Sequence, residues 1–126
     1  MNIVLWILQG LIAAMFAMTG LMKLAKSRDD LMKQKDMNWV ESVSAGNIKL
    51  IGLLELLAAV GLIVPQLTGI LPWLTPFAAV GLILTMASAI ALHSNRGDGM
   101  KKISMNIILM LLAGFIAIGR FVIVPV

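Results

Sequence analysis

Long apolar runs separated by short polar connections organise this chain. An apolar α-helix needs about 20 residues to cross the hydrocarbon core of a bilayer. Four runs approach or meet that length: residues 2–25, 48–64, 73–92 and 103–124. The second is short and is expected to extend at its start. The first has no basic residues ahead of it and is too long for the apolar core of a cleaved leader, so it is read as a span. Short connections make successive spans antiparallel neighbours. The fold class predicted is therefore all-α: an integral membrane up-down four-helix bundle, forming a single transmembrane domain over residues 1–126.

Within each span, small or polar residues recur every three or four positions. Span 1 carries Gln9, Ala13, Phe16, Gly20 and Lys23; span 2 carries Gly52, Glu55, Ala59 and Leu62. Span 3 carries Thr75, Ala78, Leu82, Thr85, Ala89 and His93; span 4 carries Asn106, Met110, Ala113, Ala117 and Arg120. Membrane helices associate through small residues and turn their polar groups away from lipid. These stripes are thus the predicted bundle interior, and the 3–4 alternation predicts left-handed packing at shallow angles.

The connections differ in charge. Between spans 1 and 2 lie Lys26, Arg28, Lys33 and Lys35, with Lys23 and Lys49 just inside the helices. Between spans 3 and 4 lie Arg96, Lys101 and Lys102, whereas "PQLTGILP" between spans 2 and 3 has no charge. Cytoplasmic loops carry the excess of Lys and Arg. Loops 1 and 3 are therefore expected in the cytoplasm and both termini outside, as in a multi-pass protein of a bacterial inner membrane. In loop 1, Met32, Trp39, Val40 and Val43 recur at roughly helical spacing among charges. That predicts a short amphipathic helix at the cytoplasmic membrane face, with the Trp39 indole in the headgroup zone. Pro65 and Pro72 bracket the outer loop, and Pro72 and Pro76 are expected in the opening turn of span 3, where a missing N–H costs little.

Composition supports the membrane assignment. Of 126 residues 60% are hydrophobic and 13% charged, against about half and about a quarter in soluble domains. The net charge of +4 reads as topology and anionic lipid, and nucleic acid is not expected as a partner. With no cysteine, disulfides and thiolate chemistry are excluded, and with one histidine an all-protein zinc site or a bis-histidine haem is not expected. The ten methionines are read as lipid-facing or gap-filling side chains. A phosphate-binding glycine loop and a Ser/His/Asp set are lacking, so no catalytic residue is assigned.

The remaining chemistry lies at two depths. Lys23, Thr19, Glu55, Thr85, His93 and Asn106 fall in the half of the bundle expected to face the cytoplasm. Gln9 and Arg120 fall in the other. Glu55 stands roughly 10 Å along span 2 at the rise of a helix, where an unpaired carboxylate is costly. Either it forms a structural ion pair with Lys23, locking spans 1 and 2, or it serves a ligand or a proton; both can hold. His93 is either an interfacial cap or a base. Arg120 is read first as a snorkelling anchor, with a role in a site as the alternative.

The segment "AMTGLMKL" (17–24) resembles the first-span signature of the DoxX-like family, a DoxX/DoxD-related group. Residues 48–98 resemble its second and third spans through Gly-Leu-Leu-Glu-Leu, a proline ending the second helix, Thr-Pro opening the third and Met-x-x-Ala-x-x-x-His at its exit. The resemblance covers spans 1 to 3 and places the motif on Gly20, Lys23, Glu55, Pro65, Met86 and His93. It implies a four-helix membrane protein related to a subunit of a thiosulfate:quinone oxidoreductase and to membrane partners in oxidative-stress assemblies. Three functions follow as expectations: binding of a quinone or lipid in a crevice at Glu55, a non-catalytic structural or assembly subunit, and the membrane subunit of a quinone-linked oxidoreductase. The expected partners are membrane lipids, a membrane or cytoplasmic oxidoreductase subunit, and a second copy of the chain; the one cofactor implied is a quinone.

Overall fold

The computed structural model describes residues 1–34 and 37–126; Lys35, counted above among the loop-1 cations, lies outside the described residues. Helix α1 runs Asn2–Ala25, α2 Arg28–Met32, α3 Ala45–Thr68, α4 Leu74–Arg96 and α5 Met100–Ile118, the last continuing into a π-helical turn at Gly119–Ile123. A 3₁₀ turn at Asn38–Ser42 lies between α2 and α3. Helices α1, α3, α4 and the α5 segment through Ile123 are each long and apolar enough to cross a membrane. The chain is a multi-pass, all-helical membrane protein, with no strand among the described residues. The end bearing the α1–α3 and α4–α5 connections is called here the basic end; the opposite end, with both termini and the α3–α4 turn, is the terminal end.

Helix α1 packs on α3, α3 on α4 and α4 on α5, and a lighter α1–α5 contact closes the ring. The central core holds Ile12, Ala13 and Phe16 from α1, Ala59 and Leu62 from α3, Leu82 and Met86 from α4, and Ala113 and Ile116 from α5. All nine residues of the stripes predicted on spans 1 and 2 are buried. On α4 the buried set is Thr75, Pro76, Ala79, Leu82, Met86 and His93, one position round from the predicted Ala78 and Thr85. Thr85 does not need the interior, because its hydroxyl donates to the Gly81 carbonyl at 2.9 Å within its own helix.

Helix α3 is longer than its apolar pattern at both ends. Ser44 caps its start, accepting from the Asn47 N–H at 3.2 Å, which accounts for the extension upstream of Ile48. Pro65, expected to end the span, lies inside it, and the helix runs on to Thr68 before Gly69 (φ 72°) caps it. A proline at position 65 cannot donate to the carbonyl of Gly61, one turn earlier. Thr75 of α4 supplies the donor instead, its hydroxyl reaching Gly61 O at 2.9 Å. Pro72 lies in the turn ahead of α4, and only Pro76 falls in the first helical turn.

Loop 1 folds back on the bundle. Where the sequence predicts one amphipathic helix, the described residues form two short pieces, α2 and the 3₁₀ turn. Their apolar residues face protein: Leu31 and Val40 are buried with Ile48 of α3, and Met32, Trp39 and Val43 pack around them. Lys49 donates to the carbonyls of Leu24 (2.7 Å) and Lys26 (2.9 Å), so a cation satisfies the open C-terminal end of α1.

Candidate functional site

The site is set by a backbone crossing. At Gly20 and Gly52 helices α1 and α3 approach so closely that a Cβ on Gly20 would stand 2.7 Å from the Gly52 carbonyl oxygen. Lys23 and Glu55 each follow three residues later on the same face. Side chains on a helix tilt toward its own N-terminus, so in this antiparallel pair the two point at each other across the glycines. Lys23 Nζ donates to Glu55 Oε1 at 2.5 Å, with the two side chains 10% and 5% exposed. The Thr19 hydroxyl donates to the other carboxylate oxygen at 2.6 Å. Glu55 is ten residues into α3, about 15 Å along its axis, deeper than the shorter span of the sequence suggested.

The pair faces a cavity of about 450 Å³ between the four long helices. Thr19 and Lys23 of α1, Glu55 of α3, Thr85, Ser88 and His93 of α4 and Asn106 of α5 supply its polar lining. Met15, Phe16, Ile51, Met86, Leu92 and Leu109 supply most of the apolar wall. All six residues expected to form the polar cluster thus border one space. The mixture of a mostly apolar wall with a few convergent polar groups is that of a small-molecule site.

Loop 1 covers the mouth at the basic end. Trp39 lines the cavity with Met37. Its indole meets the His93 ring edge-on at 6.0 Å between centroids, and Lys23 Nζ lies 5.7 Å from the indole centroid, within cation–π range. His93 Nδ1 lies 2.8 Å from Asp98 Oδ2. Asp98 arrives there through the helix end: Gly97 (φ 70°) turns the chain, and the Asp98 N–H donates to the His93 carbonyl at 3.0 Å, as in a Schellman cap. The contact orients the imidazole, and His93 lines the cavity. The His93 bond most of all holds the Asp98 carboxyl below the ordinary carboxylate range; burial opposes it, and Arg96 adds to the lowering.

Arg96 fastens the cover. Its Nε donates to Asp98 Oδ2 at 2.9 Å, and its Nη atoms reach the Ser42 hydroxyl, the Asn38 carbonyl (3.3 Å) and Glu41 Oε1 (3.2 Å). Sequence reasoning missed Asp98, Arg96 and the inward position of Trp39. Gly97 was the one available signal, since a glycine closing a helix brings the next residue back over the last turn.

Gln9 and Arg120 form a separate group near the terminal end. Arg120 Nε donates to Gln9 Oε1 at 2.7 Å and Nη1 to Asn2 Oδ1 at 2.7 Å, with the Trp6 ring 5.4 Å away. Gln9 Nε2 donates in turn to the Leu62 carbonyl at 2.6 Å and to Gln66 Oε1 at 3.0 Å. Arg120 is 1% exposed and does not snorkel. It finds acceptors inside the bundle, and Gly119 lets the π-helical turn pack directly on Leu5.

No curated protein and no solved structure matches the chain. The model of the DoxX-like family matches residues 7–116, a stretch that holds every residue of the cavity and its cover. The chain therefore belongs to the DoxX-like family.

Proposed function

We propose that the protein binds an amphiphilic ligand, a quinone or a lipid, with its polar head in the cavity at Lys23 and Glu55. The observation that carries this is the convergence of ionisable and hydroxyl groups from four helices on one mostly apolar space of about 450 Å³. Intramembrane ionisable groups are expensive and mark functional positions. Glu55 and Lys23 offer an acceptor and a donor to a carbonyl, hydroxyl or phosphate, and His93 offers a third group at the mouth. The basic end faces the cytoplasm in this reading, supported by Lys and Arg in loops 1 and 3. A membrane-impermeant thiol reagent that labels Ser94→Cys in intact cells would reverse that orientation.

Small molecules extracted from purified wild type and from the near-isosteric Glu55→Gln variant, identified by mass spectrometry, test the proposal. A defined quinone or lipid should travel with wild type and be lost from the variant. Wild type that is folded and carries only bulk lipid would refute it. The mutual satisfaction of Lys23, Glu55 and Thr19 also supports a structural role, fixing the α1–α3 register in a subunit of a larger membrane assembly. In that case no small molecule co-purifies, and exchanging the two charges restores stability.

A further inference from the structure

A second concavity, of about 660 Å³, runs along the seam between α3 and α4 toward the terminal end. Its wall is apolar except for Thr85, and Thr85 also lines the polar cavity. The same two helices border both spaces: Ile51 and Glu55 face Thr85 and Ser88 around the first, and Leu57 and Gly61 face Ala78 and Gly81 around the second. Two backbone or side-chain groups could have made the groove polar, and both are satisfied. The Gly61 carbonyl, left without its helical donor by Pro65, takes the Thr75 hydroxyl, and the Thr85 hydroxyl is bound to the Gly81 carbonyl. A hydrocarbon chain lying there would strand no polar group.

We infer that this groove holds the hydrocarbon tail of the ligand whose head occupies the cavity, and that the ligand is a single-tailed amphiphile. The inference rests on the binding proposed above. The head site is about 15 Å along α3, so a head placed there must bring its tail out sideways between helices. The α3–α4 groove starts at a residue of the cavity itself and extends from Thr85 to Leu74, about 16 Å at the helical rise. One groove takes one tail, which favours a prenylated or alkylated ring over a diacyl lipid.

Gly81 provides the test. A Cβ there meets nothing within 4 Å, and Gly81 lines the groove, so Gly81→Leu starts a side chain from an open position in it. Gly10, on α1, is equally open and serves as the control. The protein is reconstituted in lipid nanodiscs and titrated with a dimethoxy-methyl-benzoquinone lacking a tail and with its decyl derivative. Binding is read as the quenching of tryptophan emission that Trp39→Phe removes. Lipid is as apolar as the groove, so the tail gains packing and little hydrophobic free energy. Gly81→Leu should weaken the decyl compound about tenfold and the tail-less one less than about twofold, and Gly10→Leu should alter neither. Unchanged binding of the decyl compound by Gly81→Leu overturns the inference, leaving the groove to bulk lipid or a second copy. Equal weakening of both compounds overturns it too, since the substitution then acts on the head site. Absence of Trp39 quenching by either compound removes the head site and the tail site together.

Discussion

Gly20→Ala is the smallest change that forces apart the two helices carrying the ion pair. The added methyl would stand 2.7 Å from the Gly52 carbonyl oxygen and 3.0 Å from the Leu56 nitrogen. Both are backbone atoms, so neither can swing aside. Ordinary contact begins at 3.4 Å, and α1 and α3 must therefore part by about 0.7 Å at this point. Overpacking of that kind costs about 1–3 kcal/mol, and alanine returns up to about 1 kcal/mol in helix propensity. The net expectation is a loss of about 0–2 kcal/mol, and a deficit of about 1–3 kcal/mol against the open-site control Gly10→Ala. Gly10→Ala makes the identical chemical change where nothing lies within 4 Å, and it should gain up to about 1 kcal/mol. Unfolding in mixed micelles of rising SDS fraction, followed by circular dichroism, measures both. If Gly20→Ala proves as stable as Gly10→Ala, the close crossing is wrong, and with it the reason Lys23 meets Glu55.

Three further outcomes follow from the same geometry. Lys23→Met and Glu55→Gln each strand a buried partner and should cost about 3 kcal/mol alone, with the double variant recovering most of it; additive losses in the same unfolding assay would show the pair uncoupled. Thr75→Val leaves the Gly61 carbonyl without a donor and should cost about 1 kcal/mol. A Pro65→Ala change should offset that loss by restoring the helical N–H, and a Thr75→Val variant as stable as wild type would dismiss the compensation. The Asp98 carboxyl, held below the ordinary range by His93 and then Arg96, contributes stability that is present above the unfolded aspartate value and lost as the pH falls through the lowered one. Wild type should therefore melt above Asp98→Asn at neutral pH, and the gap should close only below about pH 4; a gap that persists in strong acid would show that charge is not its source.

The pattern of the chain carried the bundle and half of the site. The buried faces of spans 1 and 2 were legible, because every small or polar position of their stripes is buried, although α3 overruns its apolar pattern at both ends. Lys23 and Glu55 could be matched because Lys23 is a cation in the half of the bundle where the Glu55 carboxylate needs one; the glycine crossing that brings them together was not foreseen. The reading slipped where a polar group is satisfied at short range. Thr85 looked interior, yet its bond to Gly81 frees it to stand at the cavity edge. Pro65 looked terminal, yet a threonine distant in sequence replaces the donor it removes. Arg120 looked like an anchor, since nothing in its neighbourhood along the chain predicts that Gln9 and Asn2 will accept from it. The cover over the mouth was least visible: Trp39 comes from loop 1 and Arg96 and Asp98 from the end of α4 and the turn after it, and only the folded chain brings Trp39 to His93.

That the cavity at Lys23 and Glu55 receives the head of an amphiphile is tested most directly by a crystal structure of the protein purified from its native membrane. The expected result is density for a planar or phosphate-bearing head within hydrogen-bond distance of Glu55 or Lys23, beneath Trp39, with a tail along the α3–α4 seam. A cavity holding only ordered water, in protein that has kept its annular lipid, would contradict it.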